Sequence, residues 1–273
     1  MLSNYGLLLA QWEERDPDRL RKLLVRTWDR LDEGLRRRFL HLMMGMIYRV
    51  ARSRVMKLGV PTGEPVVMPF SFGSDEIDMD RTVEANLGRG RSNLRDIFVF
   101  ERKRRKSAVV IVMDASGSMQ GEKLAMAACT CASLAVNLDA RDDYAVVLFS
   151  ERVKVCKGLD QAVGLDEILR TVLEVRPEGR TDIGVGLEAG LREIRRSGLE
   201  KRMGILLTDG QQNVGQDPLA VARRYPQLHV ILLPGGNRRL AEEIAAKGRG
   251  GLIGLKTILD VPRAVLQCLQ GGA

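Results

Sequence analysis

The 273-residue chain has 45% hydrophobic but only 4% aromatic residues, so it can bury an aliphatic core in one large domain, or in one ordinary domain with an appendage. Its net charge of +8 is mostly N-terminal: residues 1–106 hold 22 Lys and Arg against 15 Asp and Glu, and residues 107–273 hold 21 against 20. Leu7–Ala10 is too short for a signal-peptide core and Phe39–Tyr48 too short for a membrane span, so neither is expected in these stretches and the sequence predicts a soluble cytoplasmic protein.

Asp16-Pro17 starts a helix, with Asp as cap and Pro in the first helical position. Leu20, Leu23, Leu24, Trp28 and Leu31 give it one apolar stripe. After Glu33-Gly34 a second helix runs from Leu35 to about Lys57, with Phe39, Leu42, Met43, Met46, Ile47 and Val50 on its apolar side. Residues 1–58 are therefore expected to be a helical N-terminal region. His41 and His229 are the two histidines, too few for a histidine metal site and far apart in the chain.

Residues 59–106 read as a linker, a short helix and an edge strand with a basic run. Gly59–Asp75 carries Pro61, Pro65 and Pro69. A helix is expected from about Asp80 to Leu87, closed by Gly88, and an edge strand at Ile97–Phe100. Arg102–Lys106 is five consecutive positive charges. It suits phosphate, an acidic partner or a solvated turn, but no aromatic residues interleave with it for base stacking.

From Ser107 onward, strand and helix signals alternate. Strands are expected at about 108–114, 144–150, 153–156, 203–209, 229–234 and 251–255. Helices are expected at about 122–138, 160–173, 184–197, 217–225, 237–247 and 260–269. This pattern predicts an α/β domain over 107–273 with a doubly wound, mainly parallel sheet. The first strand is a continuous apolar run, as befits a strand covered on both faces. The cysteines show neither zinc spacing nor a disulfide framework: Cys129 and Cys131 are two apart on a helix, and Cys156 and Cys268 stand alone.

Three loops carry oxygen ligands: Asp114-Ala115-Ser116-Gly117-Ser118, Gly179-Arg180-Thr181-Asp182-Ile183-Gly184, and Leu207-Thr208-Asp209-Gly210. Two carboxylates and three hydroxyls, with no sulfur or imidazole beside them, suit a hard cation such as Mg²⁺. So few charged ligands leave the ion electropositive, and an outside carboxylate can complete its shell.

Asp114-x-Ser116-x-Ser118, Thr181 and Asp209 resemble the five positions of the metal-ion-dependent adhesion site of von Willebrand factor A (VWA) domains. The segments VMDASGSM, EGRTDIGVGL and LLTDGQQNVG are similar to those of the magnesium-chelatase D subunit and of stand-alone VWA proteins that work with MoxR-type AAA+ ATPases. The resemblance covers about residues 107–260. It implies a Rossmann-like sheet of strand order 3-2-1-4-5-6 with one short antiparallel edge strand, and Asp114 and Asp209 on adjacent strands where the order reverses. It further implies that Asp114, Ser116, Ser118 and Thr181 coordinate Mg²⁺ or Mn²⁺ directly or through water, and Asp209 mainly through water. Asp182 stands where the chelatase-type loop usually has proline. Arg180 and Asp182 are therefore candidates for partner contact.

The reading that follows is a non-enzymatic, metal-dependent protein-binding module. Its expected partner is a MoxR- or chelatase-like AAA+ ATPase, or that ATPase's client, in protein remodelling or in metal or cofactor insertion. An Asp or Glu of the partner would complete the metal shell. No P-loop is present, and chelatase activity is not carried over. The alternatives are a nucleic-acid-associated protein using the basic N-terminal region and a metal-dependent phosphohydrolase with Asp114 as nucleophile. Against the latter, Ser116 stands where a dehalogenase-type phosphatase needs its second aspartate. Gly184-x-Gly186 with Gly190 does not fit a dinucleotide fingerprint, and Gly235-Gly236 and Gly248–Gly251 read as turns.

Overall fold

The computed structural model describes residues 65–69, 77–87, 96–102, 106–120, 122–138, 142–175, 177–257 and 260–270. The two N-terminal helices and His41 lie outside these residues, as do most of the linker and the middle of the basic run. The described residues fall into two units, one within Gly59–Lys106 and one from Ser107 onward.

In the first unit, β1 (Pro65–Pro69) pairs antiparallel with β2 (Phe98–Arg102). Between them in sequence lies α1 (Met79–Asn86), capped by Asp78, whose carboxylate accepts from the Arg81 N–H at 3.1 Å. A strand inside the stretch read as a linker departs from expectation. Its prolines sit at the two ends, where a missing N–H is tolerated, and Val66-Val67-Met68 between them favour an extended backbone. The strand expected at 97–100 is β2, in a two-stranded sheet of its own rather than on the main one.

The second unit runs β3 (Ser107–Asp114), a 3₁₀ turn (Gly117–Met119), α2 (Glu122–Leu138), β4 (Asp143–Phe149), β5 (Val153–Lys157), α3 (Leu165–Glu174), α4 (Ile183–Arg195), β6 (Lys201–Thr208), α5 (Pro218–Ala222), β7 (Leu228–Leu232), α6 (Arg238–Lys247), β8 (Arg249–Gly254) and α7 (Val261–Gln270). The sheet order is β5-β4-β3-β6-β7-β8, parallel throughout except for the antiparallel β4–β5 edge. This is the doubly wound order expected.

All eight residues of β3 are buried, because alternate side chains enter two different cores. Val109, Ile111 and Met113 point to one core with residues of α2, α3 and α7. Ala108, Val110 and Val112 point to the other, with α4, α5 and α6. Cys131 and Cys268 are buried in the first core, and burial pushes the Cys131 thiol up to about 12, so it packs as a small apolar group.

Helix α3 starts later than the expected 160, because the chain is first used in a tight turn. The Gln161 N–H donates to Gly158 O at 3.2 Å, and the Leu159 N–H to Glu193 Oε2 at 3.1 Å. Asp142, expected in a turn, ties the start of β3: its Oδ1 accepts from Ser107 N at 2.8 Å and Ser107 Oγ at 2.6 Å. In Gly248–Gly251 the chain leaves α6 and turns directly into β8, so this stretch is not a phosphate loop.

His229 in β7 is buried. Its Nδ1 accepts from the Gly251 N–H at 3.0 Å, and Nε2 has no hydrogen-bond partner among the described residues. Burial, aided by the Lys201 charge, holds the imidazole below its ordinary pKa. The native state therefore keeps it neutral while the unfolded chain takes up a proton near its ordinary value. Stability is expected to be intact above about pH 6.5 and to decline as pH falls below it. A melting series from about pH 7.5 to about pH 5 should show this slope, reduced in His229→Gln, as linkage requires.

Candidate metal centre

The rim at the carboxyl ends of β3 and β6 is where the strand order reverses, the ordinary ligand position of an open α/β sheet. Asp114 ends β3 and is fully buried. Its Oδ1 accepts from the Ser116 backbone N–H at 2.9 Å, and its Oδ2 from Thr208 Oγ1 at 2.7 Å. The turn that follows brings Ser116 Oγ and Ser118 Oγ to 3.3 Å from each other. Burial raises the Asp114 carboxyl above its ordinary value. Hydrogen bonds from Ser116 and Thr208 oppose the rise, and the Asp209 charge adds to it.

The second loop is pinned to its neighbours through backbone groups. The Gly117 N–H donates to Gly179 O at 3.2 Å, joining the first loop to the second. The Asn213 and Val214 N–H groups donate to Thr181 O at 3.0 and 3.3 Å, joining the third loop to the second. Gln212 adds a side-chain tie, its Oε1 accepting from the Ile183 N–H at 2.7 Å. Thr181 is thereby buried at the head of α4.

Asp209 follows β6 and is fully buried. Its Oδ1 accepts from the Gln211 N–H at 3.2 Å, and its Oδ2 from Lys123 Nζ at 2.7 Å. Its carbonyl accepts from the Asn237 N–H at 2.7 Å. Gly236 packs on that same carbonyl so closely that a Cβ would overlap it, and the Gly235-Gly236 turn is thus a support for Asp209.

The five hydroxyl and carboxylate residues named from sequence thus lie on three loops tied into one rim. Arg180 is exposed there, with its backbone N–H donating to Glu151 Oε1 at 2.9 Å. Asp182 is half-buried and caps α4, its Oδ1 accepting from the Val185 N–H at 3.0 Å. A capping carboxylate satisfies a helix N–H that a proline there would leave without this partner.

Sequence reasoning missed Thr208 and Lys123. Thr208 is the hinge of the site, donating to Asp114 and accepting from the Gly210 N–H at 3.0 Å. A hydroxyl ending an otherwise apolar strand, directly before Asp209, was its signal. For Lys123 the signal was a cation in the first turn of a helix, where the dipole disfavours it.

Among the described residues, no three His, Cys, Asp or Glu side chains cluster as a metal cage. A cation at this rim would therefore depend on the hydroxyls of Ser116, Ser118 and Thr181 beside the two aspartates. That donor set, hard oxygen throughout, fits Mg²⁺ or Mn²⁺.

Over residues 51–224, well over half its length, the chain matches the family described as VWA domain containing CoxE-like protein. The chain belongs to that family. An uncharacterized protein of Synechocystis sp. is 32% identical to this VWA protein over 152 residues, 52% of this chain and 36% of the relative. The chain thus spans about a third of that relative's length. Among solved structures, an aerotolerance-related membrane protein of Bacteroides fragilis is 18% identical, with TM-score 0.51 over 60% of this chain and 98% of that one. Proximal thread matrix protein 1 of the mussel byssus, solved with a zinc-occupied MIDAS motif, is 22% identical, with TM-score 0.51 over 60% of this chain and 45% of that one. A von Willebrand factor type A protein of Catenulispora acidiphila is 19% identical, with TM-score 0.50 over 62% of this chain and 43% of that one. These three likenesses are of fold. No helix among the described residues of this VWA protein is long and apolar enough to cross a membrane.

Proposed function

We propose that this VWA protein is a divalent-cation-dependent protein-binding module. The observation that carries the reading is the joined rim: two buried carboxylates and three hydroxyl residues on three loops held together by backbone hydrogen bonds. Asp114, Ser116, Ser118, Thr181 and Asp209 would hold Mg²⁺ or Mn²⁺. The cation supplies a Lewis-acidic point for one carboxylate of a partner. The mussel protein's zinc-occupied motif supports a divalent ion on this fold. Exposed Arg180 stands at the rim to meet a partner's acidic group, whereas Asp182 orders the loop from within.

The partner in this reading is a MoxR- or chelatase-like AAA+ ATPase, or its client, as the loop segments suggest. Binding rather than turnover is supported by Asp114 itself. Both its oxygens are engaged by Ser116 and Thr208, and the position two residues on holds a hydroxyl instead of an acid/base carboxylate. The two hydrogen bonds fix the carboxylate in place and leave lone pairs on both oxygens for a cation.

The test is capture of a purified MoxR-type ATPase on the immobilised full chain in Mg²⁺, in EDTA, and in Mg²⁺ with Asp114→Ala. Retention in the first condition and loss in the other two is expected. Equal retention in all three overturns the metal bridge, and phosphoester turnover lost in Asp114→Ala would establish a hydrolase instead.

A further inference from the structure

Lys123 occupies the first turn of α2, directly after the loop that carries Ser116 and Ser118. Its Nζ contacts Asp209 Oδ2 at 2.7 Å; the Asp209 side chain is fully buried and that of Lys123 is 24% exposed. The two aspartates of the rim are therefore unlike in their surroundings. Asp114 is met by neutral donors, the Ser116 N–H and the Thr208 hydroxyl, whereas Asp209 is met by a full positive charge.

We propose that Lys123 is a built-in counter-ion that competes with the divalent cation for Asp209, so that loading the site displaces the ammonium toward solvent. The inference rests on the reading of this rim as a cation site. An ammonium in contact with a buried carboxylate and a divalent ion in the same donor set repel each other where water screens weakly. Lysine can yield: its charge is a point on a flexible stem, and this side chain is already partly in solvent. Without the cation, the pair keeps Asp209 from being buried as a bare charge. With it, the released ammonium adds positive charge at the mouth where a partner's carboxylate arrives. Cation affinity is thereby held below what the five oxygen-bearing residues alone would give.

The experiment compares the full-length wild type, Lys123→Met, Lys123→Arg and Asp114→Asn by calorimetric titration with Mn²⁺ and by melting in EDTA and in saturating Mn²⁺. Lys123→Met keeps the length of the stem and removes the charge. It is expected to bind Mn²⁺ about fivefold tighter than wild type, the scale of one partly exposed ion pair removed from competition. In EDTA it should melt below wild type, and saturating Mn²⁺ should erase that deficit, because the ion then neutralises Asp209. Lys123→Arg, which keeps the charge, should stay near wild type in both measurements. A purely structural ion pair would leave the deficit unchanged by Mn²⁺. That result, or Mn²⁺ binding in Lys123→Met no tighter than wild type, overturns the competition while Asp114→Asn still separates from wild type. If Mn²⁺ binding is indistinguishable among wild type, Lys123→Met and Asp114→Asn, the cation site itself falls, and the inference with it.

Discussion

Asp114→Asn is expected to lower Mg²⁺ and Mn²⁺ affinity by at least about a hundredfold, beyond what is usual for residues that merely orient metal ligands, while the protein stays folded. The amide keeps the shape of the carboxylate. Its oxygen still accepts from the Ser116 N–H, and its NH₂ can donate to the Thr208 hydroxyl oxygen, which already accepts from Gly210. What disappears is a fully buried negative charge close enough to Asp209 for repulsion. In EDTA the variant should therefore melt no lower than wild type, because removing a buried charge offsets a weakened hydrogen bond. Asp114→Ala is a different perturbation. It strips the acceptor from both the Ser116 N–H and the Thr208 hydroxyl, and should cost about 1–3 kcal/mol of stability besides the loss of metal. Titration calorimetry and urea unfolding of both variants separate ligand chemistry from loop integrity. Equal cation affinity in wild type and Asp114→Asn would remove Asp114 from the site.

The second large effect lies beneath the rim, where α4 crosses the sheet. A Cβ at Gly190 would sit 2.6 Å from both Tyr225 Oη and Val112 Cγ2, and one at Gly186 would overlap the Phe149 ring. The Tyr225 hydroxyl is itself buried and fixed, donating to Leu187 O at 2.6 Å, so it cannot simply step aside. Gly186→Val and Gly190→Val are each expected to destabilise by about 3 kcal/mol, the upper end of core overpacking, read as a shift in the urea midpoint. Gly198→Ala, with nothing within 4 Å of the new methyl, is the neutral control. Because α4 begins directly after Thr181 and Asp182, pushing it off the sheet should also weaken cation binding in whatever protein remains folded. Undiminished stability in both valine variants would show that α4 can shift without cost.

Much of this was legible in the chain itself. The unbroken apolar run Ala108–Met113 read as a strand with a core on either side, and α2 was readable at both ends, Glu122 and Leu138. Local periodicity sets such elements, the turn and oxygen-bearing residues mark the three loops, and the resemblance to VWA domains singles out Asp114, Ser116, Ser118, Thr181 and Asp209 within them. The sequence was weaker where pairing is non-local. Pro65–Pro69 becomes a strand because β2, about thirty residues on, offers it a partner. Residues 158–161 form a turn instead of a helix start, and Glu193 in α4, distant in sequence, accepts from the Leu159 N–H within it.

The tertiary structure alone decided how the loops depend on one another. The Thr208–Asp114 hydrogen bond spans 94 residues, and the Lys123–Asp209 ion pair spans 86. Separations of that size leave no periodic trace in a sequence, since they exist only once β3 and β6 lie side by side. The sequence by itself put hydroxyl and carboxylate residues in three loops that follow one another in the order expected of a cation site. The fold decided that one of the two carboxylates is met by an ammonium of its own chain, because a helix start and a strand end converge at the same rim.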